Sequence, residues 1–201
     1  MAIRPFITVL TPTYTRAGTR PALADSLERQ SFGAFEWLIV DDGSTDGTTG
    51  VLAEIAARKT LEMRVIATAN GGKHRALNRG IPEARGEWTF IVDSDDRLPA
   101  GALDSIARLA AASEREERLC GIMGLKGDFS GTIVGGSLPE TGGPVDAAAL
   151  TFIHGVRGDK AEVYKTEVLR RYPFPEFEGE RFITECVVWY RMARDGYRLF
   201  L

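Results

Sequence analysis

Residues 35–46 read Phe-Glu-Trp-Leu-Ile-Val-Asp-Asp-Gly-Ser-Thr-Asp. An apolar run of six residues is too short for an independent helix, and its aromatic and branched side chains favour an extended chain. A carboxylate pair and a glycine then stop the run. This stretch predicts a strand over 35–40, covered on both faces, that delivers acidic residues to its carboxyl end.

The same arrangement recurs on either side. Residues 6–10 (FITVL) predict a first strand closed by Thr11-Pro12, and Leu23 and Leu27 predict a helix over 20–31. After Asp41-Asp42-Gly43, Ser44 or Thr45 is the expected cap of a helix reaching about Arg58, with Val51, Leu52 and Ile55 on its apolar stripe. Strand MRVIA (63–67), a Gly-Gly turn and a helix near 72–84 follow. Strand EWTFIV (87–92) runs into Asp93-Ser94-Asp95-Asp96, and Pro99 is expected to open a helix to about Glu116. Buried strands separated by helices predict an α/β fold with a mostly parallel central sheet and helices on both faces. Such sheets bind ligands beyond the carboxyl ends of their strands, where Thr11–Tyr14, Asp41–Asp46 and Asp93–Asp96 all fall.

Beyond residue 118 the pattern weakens. GDFSGTIVGG (127–136) suggests a hairpin, Gly142-Gly143-Pro144 a loop, and YPFPEFEGE (172–180) an irregular flap. A last helix is expected over 184–195, ended by Gly196, before the strand-like YRLFL. With neither repeats nor low-complexity tracts, residues 1–201 are expected to form a single domain, with halves of about 1–98 and 99–201.

Bulk properties narrow the class. The 201 residues carry 25 basic and 28 acidic side chains, a net charge of −3, so no electrostatic footprint for nucleic acid is present. No run approaches the roughly 18–20 apolar residues of a membrane span, and the opening residues lack a signal core. Cys120 and Cys186 show no metal-ligand spacing and read as thiols in a reducing cytosol. A cytoplasmic location is expected, with peripheral contact at the inner face of a membrane compatible with it.

Four clusters carry chemistry. Three carboxylates in Asp93–Asp96 repel one another unless a cation or solvent compensates. They suit Mg²⁺ or Mn²⁺ completed by phosphate oxygens, or equally a solvated helix cap. Asp41–Asp46 offers carboxylates to a base or ribose, or else a plain turn. Thr11-Pro12-Thr13-Tyr14 offers hydroxyls and an aromatic face. Asn70-Gly71-Gly72-Lys73-His74-Arg75 sets cationic side chains at a helix start, where phosphate is favoured. It is no Walker A loop, and no strand–GxGxxG–helix element occurs. Glu185, with Trp189 and Met192 at i+4 and i+7, lies on the inward stripe of the last helix, either as a general base or in a buried ion pair with Arg181 or Arg191. His154 reads as a packed loop residue.

Taken as a set, FITVLTPTYTR, VDDGSTDGT, NGGKHRALNRG and FIVDSDD resemble the inverting family-2 glycosyltransferases of GT-A fold. The tail GDKAEVYKTEVLRRYPFPEFEGERFITECVVWYRMARDGY resembles bacterial members acting on surface polysaccharides. The resemblance implies that Thr11, Thr13 and Asp42 hold the nucleoside, with Tyr14 near the base. Lys73 and Arg75 would lie near the diphosphate, and Asp93 at the ribose or a metal-bound water. Asp95 would ligate the Mn²⁺ or Mg²⁺. The family's acidic pair at the start of the last helix is Thr184-Glu185 here, so Glu185 would be the base. No Gln-x-x-Arg-Trp element of the processive synthases appears, so transfer of a single sugar is expected. The donor would be a nucleotide-diphosphate sugar, UDP by default, and the acceptor a glycan or lipid-linked glycan. Two other readings remain at this stage: a sugar nucleotidyltransferase, which would show a Gly-rich, Arg-containing loop after the first strand, and a non-catalytic nucleotide-sugar-binding module.

Overall fold

The computed structural model describes residues 4–17, 22–128, 130–140 and 143–201. Its first half alternates β1 (Ile7–Thr13), α1 (Ala22–Glu28), β2 (Phe35–Asp41), α2 (Thr48–Ala57), β3 (Met63–Ala67), α3 (Lys73–Glu83), β4 (Trp88–Ile91) and α4 (Ala102–Ala112). The second half adds β5 (Leu119–Leu125), α5 (Ala147–Phe152), β6 (Lys160–Lys165), the single turn α6 (Thr166–Leu169), α7 (Cys186–Arg194) and β7 (Arg198–Phe200). The strands form one seven-stranded sheet in the order β3-β2-β1-β4-β6-β5-β7. Pairing is parallel from β3 through β4 and again between β5 and β7. β6 runs antiparallel to both of its neighbours, β4 and β5.

The period of two along each strand divides the core. Ile7, Val9, Trp37 and Ile39 face a layer made by α1, α2 and α4 through Leu23, Leu27, Leu52, Leu103 and Ile106. Leu10, Leu38 and Val40 face α3, α5 and α7 through Leu77, Ile81, Leu150, Val188, Trp189 and Met192. β1 and β2 are therefore buried along their whole length, as their continuous apolar runs require. α3 lies close to the sheet because Gly80 has no side chain: a Cβ there would collide with Leu10 and Val40.

Several sequence expectations change. Neither Ser44 nor Thr45 caps α2. Gly47 holds that position without a side-chain bond, and Asp46 accepts from the Thr48 amide at 3.0 Å. The fourth helix starts at Ala102 after Gly101 rather than at Pro99, and ends at Ala112. Residues 20 and 21 of the predicted first helix lie outside the described residues, as do Phe129 and Gly142. The expected hairpin over 127–136 reduces to an isolated bridge between Gly127 and Ile133. β5, α5 and β6 fill a region whose sequence pattern had looked weak. Gly196, at φ 84°, ends α7 as expected, with the Tyr197 amide reaching back to the Met192 carbonyl. Among the described residues no helix is long and apolar enough to cross a membrane.

Candidate active site

The carboxyl ends of β1, β2 and β4 open into a cleft of about 300 Å³ between β1 and β4, where the strand order reverses. Thr13, Tyr14, Asp42, Lys73, Asp93 and Asp95 line it together, with Arg16 and Ser94. Tyr14 is 46% exposed and presents its ring to the opening. A larger hollow of about 510 Å³ lies at the opposite end of the sheet, walled by Arg4, Arg64, Arg85 and Arg170. Its cations are already engaged. Arg64 binds Glu36 and Glu83, Arg170 bonds the carbonyls of Pro82 and Ala84, and Arg85 faces Glu62. Those arginines cross-link strand starts, so the smaller cleft is the better candidate.

Asp42 is buried, and protein donors surround its carboxylate. It accepts from the amides of Gly71 at 2.9 Å and Gly72 at 2.7 Å and from the Asn70 side chain at 3.1 Å. This carboxylate therefore shapes the β3–α3 turn while lining the cleft. Gly72 adopts φ 98°, and a Cβ there would strike the Arg181 carbonyl, so the glycine lets the turn meet the chain just beyond the flap. Thr11 sits deeper: its hydroxyl accepts from the Trp37 indole at 3.0 Å, and it lines an adjoining hollow beside α1 and α2 that shares Thr13, Arg16 and Ser94 with the cleft.

The carboxylates after β4 are each compensated by a cation. Lys73 Nζ lies 2.6 Å from Asp93, Lys126 Nζ 2.8 Å from Asp96, and Arg16 3.6 Å from Asp95. Asp95 has the loosest of these pairings and a side chain about half exposed. Among the described residues no group of three or more histidine, cysteine or carboxylate side chains converges on one point. An all-protein metal cage is therefore not what these residues form. A single half-exposed carboxylate beside the cleft would suit only a cation that completes its shell with phosphate and water.

Lys73 also reaches Glu185, at 2.7 Å, joining the end of β4 to the start of α7. Desolvation lowers the Lys73 pKa, but Asp93 and Glu185 together outweigh it and hold the ammonium above its ordinary value. Neither Arg181 nor Arg191 takes the expected place beside Glu185. Arg191 bonds the Pro173 carbonyl and covers the Tyr172 ring. Arg75 turns from the cleft toward the flap, donating to the Phe177 carbonyl at 2.7 Å and pairing with Glu176 at 3.5 Å. His74 points inward at 1% exposure, and neither ring nitrogen finds a partner among the described residues. His154 is exposed rather than packed.

One group near the centre had escaped the sequence reading. Glu162, on β6, feels the charges of Glu185, Lys73 and Lys126, and burial above all pushes its carboxyl up to about 8. The signal was the alternation Lys160-Ala-Glu-Val-Tyr-Lys165, a strand that carries a carboxylate toward a helix-covered face.

These features define a nucleotide-type α/β site with acidic strand ends, and comparison with known proteins gives its family. The profile of Glycosyl transferase family 2 matches residues 8–130, and the chain belongs to that family. A PGL/p-HBAD biosynthesis glycosyltransferase of Mycobacterium tuberculosis is 35% identical over 107 residues, covering 53% of this chain and 41% of that protein. The crystal structure of Staphylococcus aureus TarS 1–349 superposes with a TM-score of 0.72 at 23% identity, over 96% of this chain and 56% of that one. Bound to UDP-GlcNAc, the same fragment gives 0.65 at 25% identity, over 85% and 48%. The mannosyltransferase PcManGT of Pyrobaculum calidifontis, in complex with GDP-Man and Mn²⁺, gives 0.69 at 23% identity, over 98% and 54%. The fold is thus GT-A, as the motifs implied. The chain spans less than two thirds of the length of each of these proteins.

Proposed function

We propose that this chain transfers one sugar from a nucleotide-diphosphate sugar to an acceptor hydroxyl, with inversion and with help from a divalent cation. The observation that carries the reading is the bridge from Asp93 through Lys73 to Glu185, at the mouth of a cleft on the reversal point of the sheet. It sets a carboxylate of the acceptor side within one lysine of the donor side.

In this reading Thr13, Asp42 and Tyr14 form the nucleoside end of the cleft, with Thr11 behind them as support. Asp93 lies at the ribose. Lys73 supplies positive charge to the diphosphate, and Arg75 supports it indirectly by anchoring the flap. Asp95 would hold Mn²⁺ or Mg²⁺, which neutralises charge on the departing diphosphate when bound. Glu185 takes the acceptor proton while the acceptor oxygen forms its bond to the anomeric carbon. The bond from that carbon to the diphosphate oxygen breaks on the opposite face, and the nucleoside diphosphate leaves with the electron pair. Residues up to about 98 thus serve the donor, and the remainder serves the acceptor.

UDP is the first donor to test, since TarS binds UDP-GlcNAc, with GDP beside it because PcManGT binds GDP-Man. The acceptor side presents Phe182, 71% exposed and three residues before Glu185. That ring suits the apolar face of a sugar or a lipid-linked glycan. Calorimetric titration of UDP, GDP and dTDP, with and without Mn²⁺ or Mg²⁺, is the direct test. Metal-dependent binding of one nucleotide, lost in Asp95→Ala, is expected. No binding of any of the three would overturn the donor site.

A further inference from the structure

Glu162 has no part in the reaction as written, yet its position ties the two halves of the site together. It stands opposite Ile91 of β4 and Met123 of β5, so it lies beside the strand end that carries Asp93. Residues two apart share a strand face, which puts Glu162 and Tyr164 together beneath α7. Trp189 of α7 stacks on Tyr164 with ring centroids 4.1 Å apart, over the same strand face that carries Glu162. Trp189 follows Glu185 by one helical turn. One aromatic side chain therefore seats the first turn of the helix bearing the base.

The charged groups facing Glu162 come from every neighbouring element. Glu185 approaches from α7, Lys73 from α3 and Lys126 from the end of β5. Lys160 lies on its own strand, and the buried Tyr164 hydroxyl also feels it.

We propose that Glu162 is a positioning residue for Glu185, acting through Trp189 and Lys73. The proposal rests on Glu185 being the base. Burial and the charge of Glu185 favour the protonated carboxyl, against Lys73, Trp189 and Lys126, with the balance near pH 8. Neutral Glu162 leaves Lys73 to Asp93 and Glu185. Ionised, it becomes a third carboxylate competing for the same ammonium, and the bridge between the halves loosens.

Two readouts on the whole chain test this. An infrared pH titration is expected to show a protonated-carboxyl band at neutral pH that fades through about pH 8. The band should vanish in Glu162→Gln and persist in Glu185→Gln. Transfer to water, measured as UDP release from UDP-GlcNAc with Mg²⁺, should fall across the same pH range in the parent chain. Glu162→Gln should remove that fall while UDP affinity stays within about twofold, a change under about 0.5 kcal/mol. Glu162→Ala, which removes the carboxyl from beneath α7, should cut the rate about tenfold with little change in donor KM, the pattern of lost positioning. A band that survives in Glu162→Gln, or a Glu162→Gln rate profile superposing on that of the parent chain, would overturn the proposal. Undiminished UDP release in Glu185→Gln would instead remove the base itself, and the proposal with it.

Discussion

Lys73 serves two carboxylates from different parts of the chain, 2.6 Å and 2.7 Å away. Charge-assisted bonds of this kind contribute about 1.5–3 kcal/mol each. Lys73→Met should therefore weaken nucleotide-diphosphate binding about ten- to a hundredfold, a difference calorimetry resolves. Gly71-Gly72-Lys73 marks the residue in the sequence as a candidate phosphate-side cation, because a glycine turn before a helix favours such a place. Its partnership with Glu185 was not legible, since no periodicity links residues more than a hundred positions apart. Glu36 shows the converse. It lies within the apolar run that marked β2, yet its fully buried carboxylate accepts from Thr8, from the Arg85 amide and from Arg64 at 2.8, 2.7 and 3.1 Å. Removing one member of such a buried set costs about 3–5 kcal/mol. Glu36→Ala should lower the urea midpoint accordingly, without touching the cleft.

Helix α3 is the element that joins the two sides of the site. Its first residues carry Lys73 and Arg75, and Asn78 bonds the Phe174 backbone in both directions, at 2.9 and 2.8 Å. The flap and the cleft therefore share one support. Its height above the sheet is set by Gly80 against Leu10 and Val40. Gly80→Val should lift the helix, costing about 1–3 kcal/mol by overpacking. Thermal unfolding would register the loss, and nucleotide affinity should fall with it because Lys73 moves. β1 to β4 and their acidic ends were readable because each buried strand is an uninterrupted apolar run closed by turn residues. β5, α5 and β6 were not. β5 is broken by Gly121 and Gly124, α5 has only six residues, and β6 alternates charged with apolar side chains. In each case tertiary packing, rather than local preference, decides the structure.

For the molecule as a whole, Glu162 makes stability depend on pH. The folded carboxyl titrates near 8, whereas an exposed glutamate titrates near 4.5. Between those values the folded state keeps a proton that the unfolded state has released, so stability falls as pH rises and levels off above about 8. Each unit of difference is about 1.4 kcal/mol, and the partly exposed residue warrants a discount. A loss of about 1–3 kcal/mol between pH 5 and pH 8.5 is expected from this group. Glu162→Gln should flatten that slope in chemical denaturation. The fold class followed from the strand–helix alternation and the motif set together, while the reversal of β6 could not be read from either. A strand's direction is set by where the preceding chain emerges, and the 48 residues over 118–165 carry little periodic signal.

The placement of β6 also bears on how the protein is made. β4 pairs on one side with β1, which precedes it, but on the other with β6, so Ile91 waits for Glu162. At roughly 5–20 residues per second, the ribosome needs on the order of ten seconds to deliver that partner. During this interval the Trp88–Ile91 edge offers unpaired amides and carbonyls to any neighbouring nascent chain. The second half of the chain closes that edge and brings Glu162 and the helix that follows Glu185 to the cleft.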